Sequence, residues 1–134
     1  MVTSKNIYEL ISHVEQFHDA FGIGNNHKPT VEIEKKDIQL RFDLMKEENE
    51  EYLEAAENGD LIEVADALGD MMYILFGTIM KHGMQHKIVE VFEEIQDSNM
   101  SKLGADGNPI YREDGKVLKG PNYFKPNIRS VLEK

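Results

Sequence analysis

The chain has 134 residues, 25 acidic against 15 basic side chains, a formal charge of −10 and no cysteine. That length closes one hydrophobic core, and the missing cysteines exclude a disulfide scaffold, a thiolate zinc site and a cysteine nucleophile. The negative charge disfavours a nucleic-acid backbone, the longest uncharged apolar run (Met71 to Met80) is too short for a bilayer, and no basic leader precedes an apolar core.

The expectation is one domain, residues 1–134, in a cytoplasmic protein with neither nucleic acid nor membrane as partner. Ile7, Leu10, Ile11, Val14, Phe17 and Phe21 recur at helical spacing, and Gly22 ends that first helix. Turn-forming Gly, Asn and Pro fill the stretch to about Val31. A second helix is predicted from about Lys36 to Glu57, stopped by Asn58-Gly59. Asp60 then reads as the N-cap of a third helix, with Glu63 completing a capping box, and Gly83 stops that helix after about His82. A fourth helix covers roughly Lys87 to Ser98, with Ile88, Phe92 and Ile95 on one face.

The character changes after residue 98. Residues 1–101 hold 8 bases and 21 acids, net −13, whereas residues 102–134 hold 7 bases and 4 acids, net +3. Ile110-Tyr111-Arg112 and Lys116-Val117-Leu118 flank Glu113-Asp114-Gly115, the pattern of a small β-hairpin, and Gly120 to Phe124 reads as extended. The fold expected is therefore all-α: a four-helix bundle over residues 1–98 and an irregular basic tail over 99–134.

Carboxylates stand where apolar groups belong. On the second helix a face opening with Leu40 and Leu44 continues as Glu47 and Glu51, with Glu48 beside them. In the third, Glu63, Asp66 and Asp70 fall in a sector of about 60° that continues into Ile74. Between Val64 and Met80 the two aspartates are the only charged residues. A helix apolar on nearly every side is expected to bury them, at a cost of several kcal/mol per unpaired carboxylate. Lys46 is too little compensation, and no arginine is placed on either acidic face. A hard divalent cation answers the need: Mg²⁺, with Mn²⁺ as a substitute. The plainer readings are a solvated face for Glu47 to Glu51 and a capping role for Glu63.

Glu47-Glu48-x-x-Glu51, followed after a short loop by Glu63-x-x-Asp66 and Asp70, resembles the signature of the all-α nucleoside triphosphate pyrophosphohydrolases. That superfamily includes MazG, the dimeric dUTPases and phosphoribosyl-ATP pyrophosphohydrolase. The run Glu63 to Ile74, Phe17 to Ile23, Ser98 to Gly104 and Ile110 to Asn122 resemble its single-domain MazG-like branch, so the likeness covers nearly the whole chain. The chain departs from MazG proper at Ala67, where that pattern has glutamate, so either Asp66 and Asp70 share the role or Glu63 and Asp66 form the pair one turn earlier.

The resemblance implies hydrolysis of a nucleoside triphosphate to the monophosphate and pyrophosphate, as housecleaning of dUTP or non-standard nucleotides. It implies Glu48, Glu51, Asp66 and Asp70 as metal ligands, Glu63 as a further one, and Glu47 as a ligand or the base that takes the proton from water. Asn99 and Lys102, with Arg112, Lys116 and Lys119, become candidates for closing over the phosphates, and Asn122 and Tyr123 for base or sugar. The apolar third helix carries more surface than four helices hide, so a homodimer or higher homo-oligomer is expected. Two rivals remain, a helical module whose acidic face binds a basic partner and a nucleotide sensor without turnover.

Overall fold

Side-chain caps and glycine turns set the helix limits in this computed structural model, which describes residues 6–134. Helix α1 spans Ile7–Ala20, α2 Lys35–Glu57, α3 Leu61–Lys81, α4 Ile88–Met100 and α5 Ile128–Leu132. Asn6 caps α1 by accepting from the Glu9 backbone N–H at 3.0 Å, and Asp60 caps α3 by accepting from the Glu63 N–H at 3.1 Å. The α2–α3 connection is very short. Gly59 takes a left-handed φ of +67°, and the Asp60 N–H reaches back to the Ala55 carbonyl at 3.0 Å. Asp60 therefore closes one helix and opens the next.

The chain divides into two units, Met1–His86 and Lys87–Lys134. In the first, α3 packs against α2 and α1. Its apolar core is small: Ile11, Val14, Ala55, Ala67, Phe76, Ile79 and Met80. A polar node joins the three helices. Arg41 of α2 is buried, and its guanidinium donates to Thr78 Oγ1 at 2.9 Å and to the Ile74 carbonyl at 2.8 Å. His18 of α1, also buried, pairs through Nδ1 with Asn25 Oδ1 at 2.7 Å. Both side chains crowd Gly77, where an added Cβ would lie 2.7 Å from Arg41 Nη2 and 2.8 Å from His18 Nε2. Only a residue without a side chain lets α1 and α2 approach α3 there. The loop after α1 then covers the C-terminus of α3. Asn26 donates to the Met80 and Lys81 carbonyls, and the Thr30 N–H to His82, occupying acceptors a helix end leaves free.

In the second unit, α5 returns onto α4. Buried Ser98 donates to the Phe124 carbonyl at 2.8 Å, Glu94 accepts from the Asn127 N–H at 2.8 Å, and Val131 is the buried apolar residue of α5.

The fold is all-α, as expected, with a fifth helix beyond the four predicted. The β-hairpin is not formed. Its Glu113–Gly115 turn is present, but the arms make one isolated bridge, Tyr111 with Val117, because both are short and exposed and have no sheet to extend. Gly120 to Tyr123 is a turn rather than an extended run, closed by the Tyr123 N–H on the Gly120 carbonyl at 3.3 Å. The burial expected along α3 is also corrected. Leu61 and Ile62 are about four-fifths exposed, Leu68, Met72, Tyr73 and Leu75 are exposed too, and so is Asp66. Asp70 is half-buried. Helices α1 and α2 cover one side of α3 and leave its outer face open. Among the described residues no helix is long and apolar enough to cross a membrane.

Candidate functional site

The α2–α3 turn phases the two acidic helices against each other. On α2, Arg41, Leu44, Glu48 and Ala55 fall within about 60° of one another. Arg41 and Ala55 of that stripe are buried, which directs Glu48 toward α3. The electrostatics agree with this placement. The Glu48 carboxyl is pushed up from 4.5 to about 7, first by burial, then by hydrogen bonding with Glu51 and the negative charges of Asp70, Glu51 and Glu47. Asp70 is also raised, by burial and then by the charges of Asp66 and Glu51. Five of the predicted carboxylates thus form one interacting group: Glu47, Glu48, Glu51, Asp66 and Asp70.

Among the described residues no cation pairs with it: none of the ion pairs involves these five, and Lys46 pairs with Glu50 instead. Arg41 shares the stripe with Glu48, contrary to the sequence reading, but spends donors on Thr78 and Ile74. Glu48 Oε2 is buried with no hydrogen-bond partner. An orphaned carboxylate oxygen among other carboxylates fits a hard divalent cation. Among the described residues, however, no three His, Asp or Glu side chains close into a preformed coordination cage.

Next to this group lies a cleft of about 460 Å³ lined by Glu51, Glu54, Ala55, Asn58, Asp60, Glu63, Asp66 and Ala67. It brings Glu63 to the same walls as Glu51 and Asp66. The capping box is only half made, since the Asp60 N–H is taken by Ala55, so the Glu63 carboxylate has no capping partner there. Glu54 and Asn58 were missed by the sequence reading, although they follow Glu51 at helical spacing of three and seven.

The remaining predicted residues belong to the second unit. Asn99 and Lys102 lie at the end of α4, where the Lys102 N–H donates to the Asn99 carbonyl at 3.2 Å and the Lys102 carbonyl accepts from Gly120 at 2.8 Å. Arg112 is held by the Asp114 carboxylate across its turn, and the Lys116 N–H bonds the same carboxylate at 3.1 Å. Lys119 Nζ sits 4.8 Å from the centre of the Tyr123 ring. Asn122 is exposed in the following turn.

The scaffold is thus an all-helical one with a cleft of acidic residues between two antiparallel helices. It is similar in fold to the crystal structure of a candidate NTP pyrophosphohydrolase from Exiguobacterium sp. 255-15, at 24% identity and a TM-score of 0.50, over 97% of this chain and 94% of that one. A 40-residue stretch is 42% identical to an uncharacterized protein of Acanthamoeba polyphaga mimivirus, spanning 30% of this chain and 16% of the viral protein. Residues 14–99, which hold all the clustered carboxylates, match phosphoribosyl-ATP pyrophosphohydrolase, and the chain belongs to that family.

Proposed function

We propose that the chain hydrolyses a nucleoside triphosphate between the α and β phosphates, releasing the monophosphate and pyrophosphate, with Mg²⁺ as the resident ion. The observation that carries this reading is the buried, unpartnered Glu48 oxygen in a group of carboxylates that raise one another's protonation at Glu48 and Asp70. Glu48, Glu51, Asp66 and Asp70 would hold the ion, and Glu63 reaches the group from the cleft wall. Bound there, a divalent ion offsets phosphate charge and lowers the pKa of a water. Glu47, exposed at the edge of the group, is the residue for accepting the water proton.

Asn99, Lys102, Arg112, Lys116 and Lys119 supply donors and positive charge for the phosphates, which a polyanion of this kind needs beyond one metal. Arg112 must exchange Asp114 for phosphate to take part. Asn122 and Tyr123 are the tail's contacts for base or sugar. The open outer face of α3 is the surface for a second copy, giving at least a homodimer, and the substrates are dUTP or non-standard nucleotides removed as housecleaning.

The test is pyrophosphate release from a panel of standard and modified nucleoside triphosphates, with Mg²⁺, with Mn²⁺ and with EDTA. Metal-dependent release that disappears in Asp70→Asn is expected. Metal and nucleotide binding without release would leave a sensor, and no metal binding at all would leave an acidic interaction module.

A further inference from the structure

Of the exposed aromatic rings described in the first unit, Phe17, Phe21 and Tyr73 are in contact with one another, and Tyr73 lies one turn from Asp70. Phe17 and Phe21 of α1 pack with ring centres 4.5 Å apart and planes tilted by 36°. Phe17 meets Tyr73 of α3 edge-on at 5.6 Å. Phe21 is 70% exposed, Tyr73 41% and Phe17 39%. Rings this size are ordinarily covered, and each carries far more apolar area than a surface position requires.

Their place along α3 is informative. Tyr73 follows Asp70 by one turn and Asp66 by two, and the three share about 60° of the helix circumference over a rise of about 10 Å. The carboxylates of α2 act on Asp70 from one flank of this strip, and Phe17 of α1 touches Tyr73. One continuous strip thus passes from negative charge to bare aromatic rings. Of the exposed aliphatic residues of α3, Leu61, Leu68, Met72 and Leu75 cluster within about 60° on the opposite side, while Ile62 lies about three turns before Tyr73 on its own side. The rings are therefore not part of that face.

We propose that Phe17, Phe21 and Tyr73 form the platform on which the substrate's nucleobase stacks while its phosphates lie toward Asp66 and Asp70. This rests on the pyrophosphohydrolase reading and deepens it. Ring faces offer overlap without a donor and acceptor pattern, so they accept any base and discriminate chiefly against a polyphosphate that has none. The platform thus requires that the triphosphate carry a base and leaves the choice among bases to other contacts.

The test replaces each ring with an aliphatic side chain of similar bulk, in Phe17→Leu, Phe21→Leu and Tyr73→Leu, and retains a ring in Phe21→Tyr and Tyr73→Phe. Pyrophosphate release, inhibition by inorganic tripolyphosphate, melting temperature and sedimentation are measured for each. The leucine variants are expected to raise KM for the nucleotide about tenfold with little change in kcat, the loss typical of removing one stacking ring. The ring-retaining variants should restore KM, and tripolyphosphate inhibition should not move. An unchanged KM in the leucine variants overturns the platform. So does an equal loss toward tripolyphosphate, or a change in oligomeric state that assigns the rings to a contact between copies. If the unmodified protein releases no pyrophosphate from any nucleotide, the enzymatic reading fails separately. Titration of a nucleoside monophosphate then decides the platform: binding weakened by the leucine changes supports it, and absent binding overturns it.

Discussion

Removing the charge of Glu48 should make the protein more stable in the absence of metal, by an amount that grows above about pH 4.5 and is complete above about pH 7. A folded-state value raised from 4.5 to about 7 means that the fold favours the protonated carboxyl. Its stabilising effect is complete below the ordinary value of 4.5 and is lost as pH rises through about 7. Taken at full strength the shift is worth about 3 kcal/mol, but Glu48 is only part-buried and water screens it, so about 1 kcal/mol is the working figure. Glu48→Gln keeps the shape and removes the charge. In EDTA at pH 8 it should melt about 4 °C above the parent chain, and at pH 4.5 the two should coincide. Adding Mg²⁺ at pH 8 should raise the parent's melting temperature and narrow the difference. Scanning calorimetry across this range is sufficient. Equal melting at pH 8, or the same gain at both pH values, would refute the argument that an uncompensated Glu48 charge sits in the folded site.

Other expectations follow from the same geometry. Gly77→Ala forces a methyl against Arg41 and His18 and should cost about 1–3 kcal/mol, read as a lowered denaturation midpoint; an unchanged midpoint would show that the node yields. Asp60→Ala removes the cap of α3 and should cost about 1 kcal/mol, whereas Asp60→Asn should keep most of it, and equal losses would assign the effect to charge rather than capping. Leu68→Asp and Met72→Asp together should dissociate the expected dimer in sedimentation without unfolding it; a parent chain that already sediments as a monomer would remove the basis for that interface.

The first four helices were legible because each carries a periodic apolar face, and α1, α2 and α3 also have a glycine or side-chain cap at an end. Lys35–Glu57 and Leu61–Lys81 differ from the predicted ranges by about one residue. Helix α5 was missed for want of length: Asn127 is a proper cap, but five residues give periodicity nothing to repeat. The hairpin was overread because Asp-Gly fixes a turn and says nothing about whether the arms find a sheet. The acidic group was legible as a conflict between residue type and helical face. Its depth was not, since burial of Asp66 depends on what covers α3, and the covering helices leave that side open. Arg41 was misplaced for a related reason. Its position on the inward stripe follows from helical spacing, but the Thr78 and Ile74 acceptors that hold it belong to another helix.

The shared use of Asp60 by two helices also governs which changes of chain length the protein tolerates. Connections are usually where insertions and deletions accumulate. Here one residue added between Asn58 and Asp60 would disturb the bond from the Asp60 N–H to the Ala55 carbonyl that fixes where α3 begins, and with it the register of Asp66 and Asp70 against Glu48. The longer stretch before α2 is tied to the C-terminus of α3 through Asn26 and Thr30, but it does not set the register of the acidic residues. Length variation among related chains should therefore collect before α2 and be scarce at the α2–α3 turn, which an alignment of such chains would show directly.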